Sequence, residues 1–555
     1  MKPSRTFEMQ QIVLGLLRNT DRVLSCVVIL LFTNATYAQH RSDTPNARID
    51  SASQSKLNIS EEVNLVKNGF DVVWHLSNAT EENQPVPAIE IGPFHTGPEL
   101  HWMNFAVDGD ERTSTWNAGQ VATASVYPRW LYSPVIVASN QTDTIGCSLM
   151  FPILQYKHDV ACSIESTQKK DHWVFRFSFT DADRPRPSPP LIYPAEMEPG
   201  SKRSYTLSVR VTKDRELAIE TLEPYRVFFH DLYGQIRYQR DPRPVRGLHL
   251  AMASRITEDN PAGFIMPQSE RPDLVGFRPL VNQMERLLRT WTRVVLWAPS
   301  GANAATGYNY PFRITSRWLD EDVNAKAMNG AVDELSGMTL PDQSAWGLWW
   351  GHSLEYQPSW NSPDVTSLDL DEPRQVEAAF AELDRAAQAG ATLMGLDAFS
   401  HRHLPPWKSY HWLLRMQQRH ESMTFITEGC TVDFMHTLAP TWIDSYAANS
   451  LPAHRQGDLS RRHALADWLL PGHEIWAGML FNRKSEATGT ELPLPMMRRE
   501  IARIAQLGYV PVIFIEAARP AQTLRATESG TQEAQSQPTT PPASTQPAQE
   551  TDSRP

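Results

Sequence analysis

The C-terminal half of the chain alternates short apolar runs with segments of helical periodicity, and this alternation constrains the fold more than any other feature. Apolar runs separated by helical segments indicate βα units whose strands pair in a parallel sheet. Eight such runs within about 270 residues match the size of a (β/α)8 barrel, which is therefore predicted over residues 245–518. The predicted strands are Leu248–Ala253, Val294–Ala298, Trp346–Trp350, Thr392–Leu396, Thr424–Thr427, Ser445–Ala448, Ile475–Phe481 and Val510–Ile515.

Two of the intervening segments carry clear helix signals. Glu372–Ala389 has apolar residues at helical spacing and is followed by Gly390, and Pro495–Leu507 opens on a proline and is followed by Gly508. Glycine directly after the last helical residue is a common stop signal. The sixth predicted strand is the least well defined, so an open doubly wound sheet is the alternative to a closed barrel.

The N-terminal half shows a different period. Phe70–Trp74, Trp173–Phe179 and Ser204–Val211 are short runs with β-branched and aromatic residues in alternation. Turn signals stand at Asn68-Gly69 and Pro199-Gly200. A period of two with such turns predicts antiparallel strands in a β-sandwich. The predicted fold is therefore multidomain β plus α/β: a β-sandwich over 60–235, followed by the barrel.

Composition and charge exclude several classes of function. The 555 residues include 41% hydrophobic and 21% charged residues, which is typical of a globular protein. Lys and Arg number 52 against 63 Asp and Glu, a net charge of −11, with no basic block of the kind that binds nucleic acid. No GxSxG, P-loop or GxGxxG motif occurs, so no nucleotide cofactor is expected. A neutral, polar substrate fits this balance better.

Both ends of the chain look unlike a folded domain. Basic residues precede the apolar run Val23–Phe32, and Ala38 follows, which is the order of a secretory signal peptide. Residues 1–38 are therefore predicted to direct the protein to a secreted or periplasmic location, and an uncleaved anchor is the alternative. No later stretch is apolar enough to span a membrane. Residues 519–555 have few large apolar side chains and are predicted to be disordered.

The four cysteines do not form a disulfide framework. Cys26 falls in the signal segment, and Cys430 is expected to be a buried thiol. Cys147 and Cys162 lie around a strand-like stretch, so one disulfide across a hairpin is an open possibility in an oxidising compartment.

Carboxylates follow two neighbouring strands of the predicted barrel. Asp397 comes after strand four and Glu428 ends strand five. Active sites of such barrels lie at the C-terminal ends of the strands, and a glycosidase requires two carboxyl groups that flank the bond to be cleaved. Asp397 is assigned as nucleophile and Glu428 as acid/base. Asp444 competes for the acid/base role, and either of the first two could instead cap a helix or pair with Arg402.

Further residues near the strand ends are suited to binding a sugar. Aromatic rings cover the apolar face of a pyranose, while carboxylates and imidazoles bind its hydroxyls. The predicted substrate-binding residues are Trp297, Trp349, Trp350, Glu355, His401, Trp442 and Glu516.

A metal site is the alternative interpretation of the loop that contains His401 and His403. Both imidazoles could ligate one metal, with Asp397 close by. Metal-dependent barrel hydrolases need further ligands on other strands, however, and the first strand offers only His249. We therefore predict no metal.

A β-sandwich followed by a barrel, with Leu396-Asp-Ala-Phe399 after strand four, resembles secreted retaining α-glycosidases. The closing segments of the sandwich, Pro199–Tyr205 and Pro224–Phe228, are similar to those of the α-galactosidase-like clan, whose pattern implies Asp397 with Asp444. The endo-α-N-acetylgalactosaminidase family has a similar architecture, and its pattern implies Asp397 with Glu428.

The resemblance implies a secreted glycoside hydrolase that cleaves α-linked sugars, with a carbohydrate as its partner. A non-catalytic carbohydrate-binding protein on a degenerate barrel and a metal-dependent hydrolase are the alternatives. Glu428 is preferred over Asp444 because Ile426-Thr-Glu-Gly429 ends a convincing strand.

Overall fold

The structure is a computed structural model, and the residues that it describes form separate ranges. These are 46–49, 55–95, 99–105, 111–117, 125–167, 172–181, 193–249, 285, 288–289, 291–297, 314–315, 336–350, 353–357, 364–399, 404–428, 432–442, 464–480 and 494–516. The predicted signal peptide, the predicted disordered tail, Cys430, His401, His403 and Asp444 lie outside them.

The N-terminal part is an antiparallel β-sandwich, as predicted. The strands are β1 Asn46–Ile49, β2 Asn58–Val66, β3 Gly69–Ser77, β4 Gln84–Pro85, β5 Ile89–His95, β6 Glu99–Phe105, β7 Glu111–Asn117, β8 Ser125–Tyr127, β9 Val135–Ser139, β10 Thr144–Met150, β11 Asp159–Ser166, β12 His172–Thr180, β13 Glu196–Met197 and β14 Lys202–Thr212. One sheet has five strands in the order β1-β5-β12-β11-β8, and the other has seven in the order β2-β3-β14-β10-β9-β6-β7. A small ribbon pairs β13 with β4.

The alternation along these strands explains the sandwich. In β3 the side chains of Phe70, Val72 and Trp74 are buried, while the residues between them are partly exposed. Trp173 and Phe175 of β12 are fully buried in the same way. Because side chains of a strand point alternately to its two faces, each sheet places one apolar row between the two sheets.

The two sandwich cysteines lie in opposite sheets. Cys147 belongs to β10 of the seven-stranded sheet and Cys162 to β11 of the five-stranded sheet. Both are fully buried free thiols. The predicted hairpin is therefore wrong, because a helical turn separates β10 from β11 and carries the chain between the sheets.

The C-terminal part is a closed barrel of eight parallel strands, so the open-sheet alternative is wrong. The first strand pairs with the second and also with the last, which closes the ring. Three further short strands form a separate sheet. The barrel strands are β15 Val245–His249, β16 Arg293–Trp297, β18 Ala345–Trp350, β21 Leu393–Leu396, β22 Thr424–Glu428, β23 Thr441–Trp442, β24 Ile475–Leu480 and β25 Val510–Glu516, and the short ones are β17 Ile314–Thr315, β19 Glu355–Gln357 and β20 Thr366–Ser367.

The sixth barrel strand differs from the prediction. It is the two-residue strand β23 at Thr441–Trp442, and the predicted run Ser445–Ala448 lies outside the described residues. Thr441 pairs with Thr427 of the fifth strand, and Trp442 pairs with Trp476 of the seventh. Two residues suffice to close the barrel, but they are too few to form a recognisable apolar run.

Two of the described helices, Pro373–Gln388 and Leu494–Gln506, match the helices predicted from start and stop signals. Val376, Ala379 and Leu383 are buried on one face of the helix after β20, and the Glu372 side chain accepts a hydrogen bond from Arg374 N at the start of that helix. The described helices are α1 Ile153–Tyr156, α2 Glu223–Tyr233, α3 Pro373–Gln388, α4 Pro406–Arg419, α5 Asp433–His436, α6 Ala464–Leu469 and α7 Leu494–Gln506. Among the described residues, no helix is both long and apolar enough to cross a membrane.

The segment between the fifth and sixth barrel strands is too short for a full return helix. Its described residues, 432–440, contain one helical turn, α5. The linker helix α2 packs against this turn, since the Tyr233 and Phe434 rings lie 5.9 Å apart. The linker helix and the sandwich together cover the side of the barrel where another helix would otherwise stand. One continuous apolar core therefore runs from the sandwich to the barrel helices.

A buried carboxylate holds this junction together. Asp433 is fully buried and accepts hydrogen bonds from the hydroxyls of Tyr225 at 2.6 Å, Ser133 at 2.8 Å and Tyr127 at 3.1 Å. The backbone N–H of Phe434 donates a fourth bond at 2.8 Å. Donors thus come from the sandwich, the linker helix and the barrel. Burial nevertheless raises the pKa of Asp433 to about 6.

This raised pKa predicts a pH-dependent contribution to stability. The Asp433 pKa in the folded protein exceeds its value of about 4 in an unfolded chain, so the contribution is complete below pH 4 and is lost as pH rises through about 6. The loss amounts to at most about 3 kcal/mol. Asp433→Asn cannot ionise, so the stability advantage of the wild type over this variant should shrink between pH 4 and pH 7. Urea unfolding at several pH values measures this difference.

Asp342→Asn, in an exposed turn, is the matched control and should show a constant difference from the wild type. An equally constant difference for Asp433→Asn would contradict the prediction.

Candidate active site

Asp397 is the first residue after β21, at the C-terminal end of the fourth barrel strand. Its backbone is held on both sides. The N–H donates to the carbonyl oxygen of Trp350 at 2.9 Å, and the carbonyl oxygen accepts from Ser353 N at 3.0 Å and Ser353 Oγ at 2.9 Å. The residue is 5% exposed. The segment after the third strand therefore fixes the backbone from which the Asp397 carboxylate projects.

The Asp397 side chain meets an indole inside the barrel. Trp349 Nε1 donates to Asp397 Oδ1 at 3.3 Å. The Trp349 ring lies directly over Gly395, where an added Cβ would be only 1.9 Å from Cε3 of the ring. A glycine in the fourth strand is thus what allows the indole to cross the barrel and reach the carboxylate.

Glu428, the last residue of β22, lies next to the same turn. Its Oε2 accepts a hydrogen bond of 2.7 Å from the backbone N–H of Ala398, the residue that follows Asp397. Covalent geometry then limits the separation of the two carboxyl carbons to roughly 9 Å. The structure therefore brings together the two carboxylates that were assigned from the sequence. Ala398 has φ of 51°, in the left-handed region that residues with a side chain seldom adopt.

Two of the predicted sugar-stacking tryptophans are enclosed by the barrel. Trp349 is 0% exposed and Trp442 is 1% exposed, and their rings pack edge to face with centroids 6.0 Å apart. They belong to an apolar core within the barrel that includes Trp476 and Val295. Neither presents a ring face to a sugar in this structure. The prediction that both bind a sugar is therefore corrected. Trp349 contacts Asp397, and Trp442 packs in the core.

Trp350 lies on the other side of the barrel wall. Its Nε1 donates to Glu382 Oε2 of helix α3 at 2.5 Å, and it packs in the core that the helices cover. Successive side chains of a strand point to opposite faces, so Trp349 and Trp350 cannot both face the interior. The prediction that Trp350 binds substrate is therefore wrong.

The remaining predicted residues are only partly described. Glu355 begins β19, two residues beyond Ser353, and is 8% exposed. Trp297 and Glu516 both pair in register with His249 at the ends of their strands. His401 and Asp444 lie outside the described residues. Hydroxyl binding by Glu355, His401 and Glu516, sugar stacking by Trp297 and a catalytic role for Asp444 stay predictions.

The described part of the chain contains no group of three or more His, Cys, Asp or Glu side chains arranged to hold a metal ion. The sequence reasoning missed three residues that shape the site. Gly395 could have been noticed as an isolated glycine within an apolar strand, which is a sign of close approach by another group. Ser353 and Ala398 act through a hydroxyl and backbone atoms, and no residue pattern signals such contacts.

Comparison with known proteins gives a likeness of architecture. No known family and no curated protein matches the sequence. Among solved structures, the chain is similar to the GH36 α-galactosidase AgaB from Geobacillus stearothermophilus, with 11% identity, a TM-score of 0.48, and coverage of 87% of this chain and 67% of that one. For the α-galactosidase from Lactobacillus brevis the identity is 12%, the TM-score 0.48, and the coverage 88% and 68%.

The α-N-acetylgalactosaminidase NagBb from Bifidobacterium bifidum is similar at 12% identity and a TM-score of 0.41, with 85% of each chain covered. All three likenesses are remote. The case for a function therefore rests on the residues of this chain.

The contact between Gly395 and Trp349 predicts the effect of adding one methyl group. Gly395→Ala should force the indole away from Asp397 and lower the free energy of unfolding by about 1–3 kcal/mol, as overpacking of a core does. Trp349→Phe shortens the ring system and should relieve the clash, so the double variant should be more stable than the sum of the single changes predicts. Urea unfolding of the three variants measures this coupling. Strictly additive effects would contradict the contact.

Proposed function

We propose that this protein is a glycoside hydrolase that cleaves α-linked sugars with retention of configuration, with Asp397 as nucleophile and Glu428 as acid/base. The observation that carries the proposal is the 2.7 Å hydrogen bond from Ala398 N–H to Glu428 Oε2. This bond holds two carboxylates at the ends of neighbouring strands, on the face of the barrel where such folds place their chemistry.

In the first step an Asp397 oxygen attacks the anomeric carbon of the sugar. A C–O bond forms between them while the glycosidic C–O bond breaks, and its electron pair leaves on the aglycone oxygen. Glu428 donates its proton to that oxygen, so the leaving group departs as an alcohol. The products of this step are a glycosyl ester on Asp397 and an ionised Glu428.

In the second step a water molecule replaces the aglycone. Glu428 removes a proton from the water, whose oxygen attacks the anomeric carbon, and the ester bond to Asp397 breaks. Asp397 recovers its negative charge and Glu428 its proton. Two inversions give net retention.

The surroundings of Asp397 suit a nucleophile. Its carboxylate is nearly buried, and the Trp349 N–H at 3.3 Å supports its charge and orientation. Fixed donors around a buried carboxylate cost no reorganisation during the reaction. Because the net charge of the chain is −11, a neutral sugar is a better substrate than an anionic one.

The separation of the carboxyl groups decides the stereochemistry. Retaining glycosidases place them about 5–5.5 Å apart and inverting ones about 6.5–9.5 Å apart. The limit of roughly 9 Å set by the hydrogen bond at Ala398 is compatible with both arrangements. Retention is proposed because Glu428 bonds to the residue adjacent to Asp397, which favours the shorter separation. We also propose export to a secreted or periplasmic location, supported by the N-terminal sequence of residues 1–38.

Chemical rescue by azide tests the two roles separately. In Asp397→Gly, azide should attack an activated aryl α-glycoside from the opposite face and release a β-glycosyl azide. In Glu428→Gly, the glycosyl ester still forms from an activated substrate, and azide should release an α-glycosyl azide. NMR of the products distinguishes the two anomers. Without azide, Glu428→Gly should lose about 10²- to 10⁴-fold in turnover of substrates with poor leaving groups.

Glu382→Gln is the matched control, because this carboxylate contacts Trp350 on the helix side of the barrel wall. It should leave turnover within about threefold of the wild type. If Asp444→Gly and not Glu428→Gly yields the α-glycosyl azide, Asp444 is the acid/base. Binding of a glycan without release of any product would instead indicate a carbohydrate-binding protein, and activity that is abolished by chelation would indicate a metal-dependent hydrolase.

A further inference from the structure

We infer that the peptide group between Asp397 and Ala398, held by Ser353, is a positioning device that sets the distance between the nucleophile and the acid/base. The inference rests on the proposed function and deepens it. It concerns three strand ends that meet at one peptide group, namely those of β18, β21 and β22.

Ser353 fixes the carbonyl side of this peptide. Both its N–H and its Oγ–H donate to the Asp397 carbonyl oxygen, at 3.0 Å and 2.9 Å, and Ser353 is fully buried. Two donors on one acceptor occupy both lone pairs of the carbonyl, so the oxygen has one preferred direction. A buried hydroxyl that lost this acceptor would be unsatisfied, which holds the contact in place.

Glu428 accepts a hydrogen bond from the N–H side of the same peptide. A trans peptide is planar, so its N–H points opposite to its C=O. With the carbonyl directed at Ser353, the Ala398 N–H is directed away from the third strand and towards the fifth, where it meets Glu428 Oε2 at 2.7 Å. The orientation that Ser353 imposes on the peptide therefore determines where the Glu428 carboxylate is held.

The backbone of Ala398 is strained at this point. Its φ of 51° lies in the left-handed region, which is unfavourable for a residue with a Cβ. Such conformations persist where the surroundings over-determine them, and they concentrate at functional sites. Here the contacts of Ser353 on one side and Glu428 on the other supply that constraint.

A mispositioned acid has a recognisable kinetic signature. A strongly acidic phenol leaves an aryl glycoside without being protonated, whereas a weakly acidic phenol leaves only with the proton that the acid donates. Loss of the positioning device should therefore slow the cleavage of substrates with poor leaving groups far more than the cleavage of substrates with good ones. A change that merely loosens the fold would slow all substrates alike.

The test compares one atom-level replacement with two conventional variants. Replacing Ala398 by its α-hydroxy acid, L-lactate, exchanges the N–H for an ester oxygen and leaves the side chain unchanged. kcat/KM should fall at least about tenfold for a phenyl α-glycoside and less than about threefold for the dinitrophenyl α-glycoside. Ser353→Ala removes one of the two donors and should give the same pattern at about threefold to tenfold.

A control variant separates positioning from folding. Ser409→Ala removes a buried hydroxyl of α4 that has no hydrogen-bond partner among the described residues, so it should keep the wild-type dependence on the leaving group. Crystal structures of the wild type and Ser353→Ala should show a larger separation of the Asp397 and Glu428 carboxyl groups in the variant.

Measurement of Glu428→Gln with the same substrates distinguishes a failure of the positioning device from a failure of the proposed function. If this variant shows the steep leaving-group dependence and the ester and Ser353→Ala variants do not, the proposed function stands and the positioning device is refuted. If Glu428→Gln shows no such dependence, the proposed assignment of the acid/base fails. Equal losses for all leaving groups in the ester variant, or an unchanged carboxyl separation in Ser353→Ala, would also overturn the inference.

Discussion

The carboxylate of Asp433 is the interaction on which the arrangement of the two domains depends. Three hydroxyls from the sandwich and the linker helix converge on it, immediately after the fifth barrel strand. This strand ends at Glu428, and the described part of the segment that leads to the sixth strand contains a single helical turn, α5. The sandwich and the linker helix therefore support the segment that follows the fifth strand.

The interior of the barrel shows why the aromatic content of the sequence was misleading. Trp349, Trp442 and Trp476 fill the space that smaller aliphatic layers fill in other barrels of this type. Large rings in so narrow an interior require residues without a side chain opposite them, which Gly395 provides. The same packing of Trp349 over Gly395 brings the Trp349 N–H to Asp397. It therefore both fills the barrel and helps to orient the carboxylate.

The sequence predicted the strands well where they are buried on both faces. Such strands occur in the sequence as continuous apolar runs, and seven of the eight predicted barrel strands overlap the observed ones. The sixth was missed because Thr441–Trp442 is too short to form a run. The carboxylates Asp397 and Glu428 were found because strand ends converge in any barrel. The alternation of side chains along a strand would have shown that Trp349 and Trp350 face opposite sides of the barrel wall. The contacts of the Ala398 backbone and of the Ser353 hydroxyl could not be predicted, because no pattern of residues indicates them.

The hydrogen bond at Ala398 also bears on the choice between Glu428 and Asp444. A neighbouring strand can share a backbone contact with the turn after Asp397, and Glu428 does so. The sixth strand is separated from the fourth by the fifth, so the two do not pair in the described part of the barrel. A backbone N–H cannot be moved by a change of rotamer, and it therefore fixes an acid/base more firmly than a side-chain donor does. The contact of Ala398 with Glu428 is for this reason the feature of the local backbone that supports the proposed choice of Glu428 over Asp444.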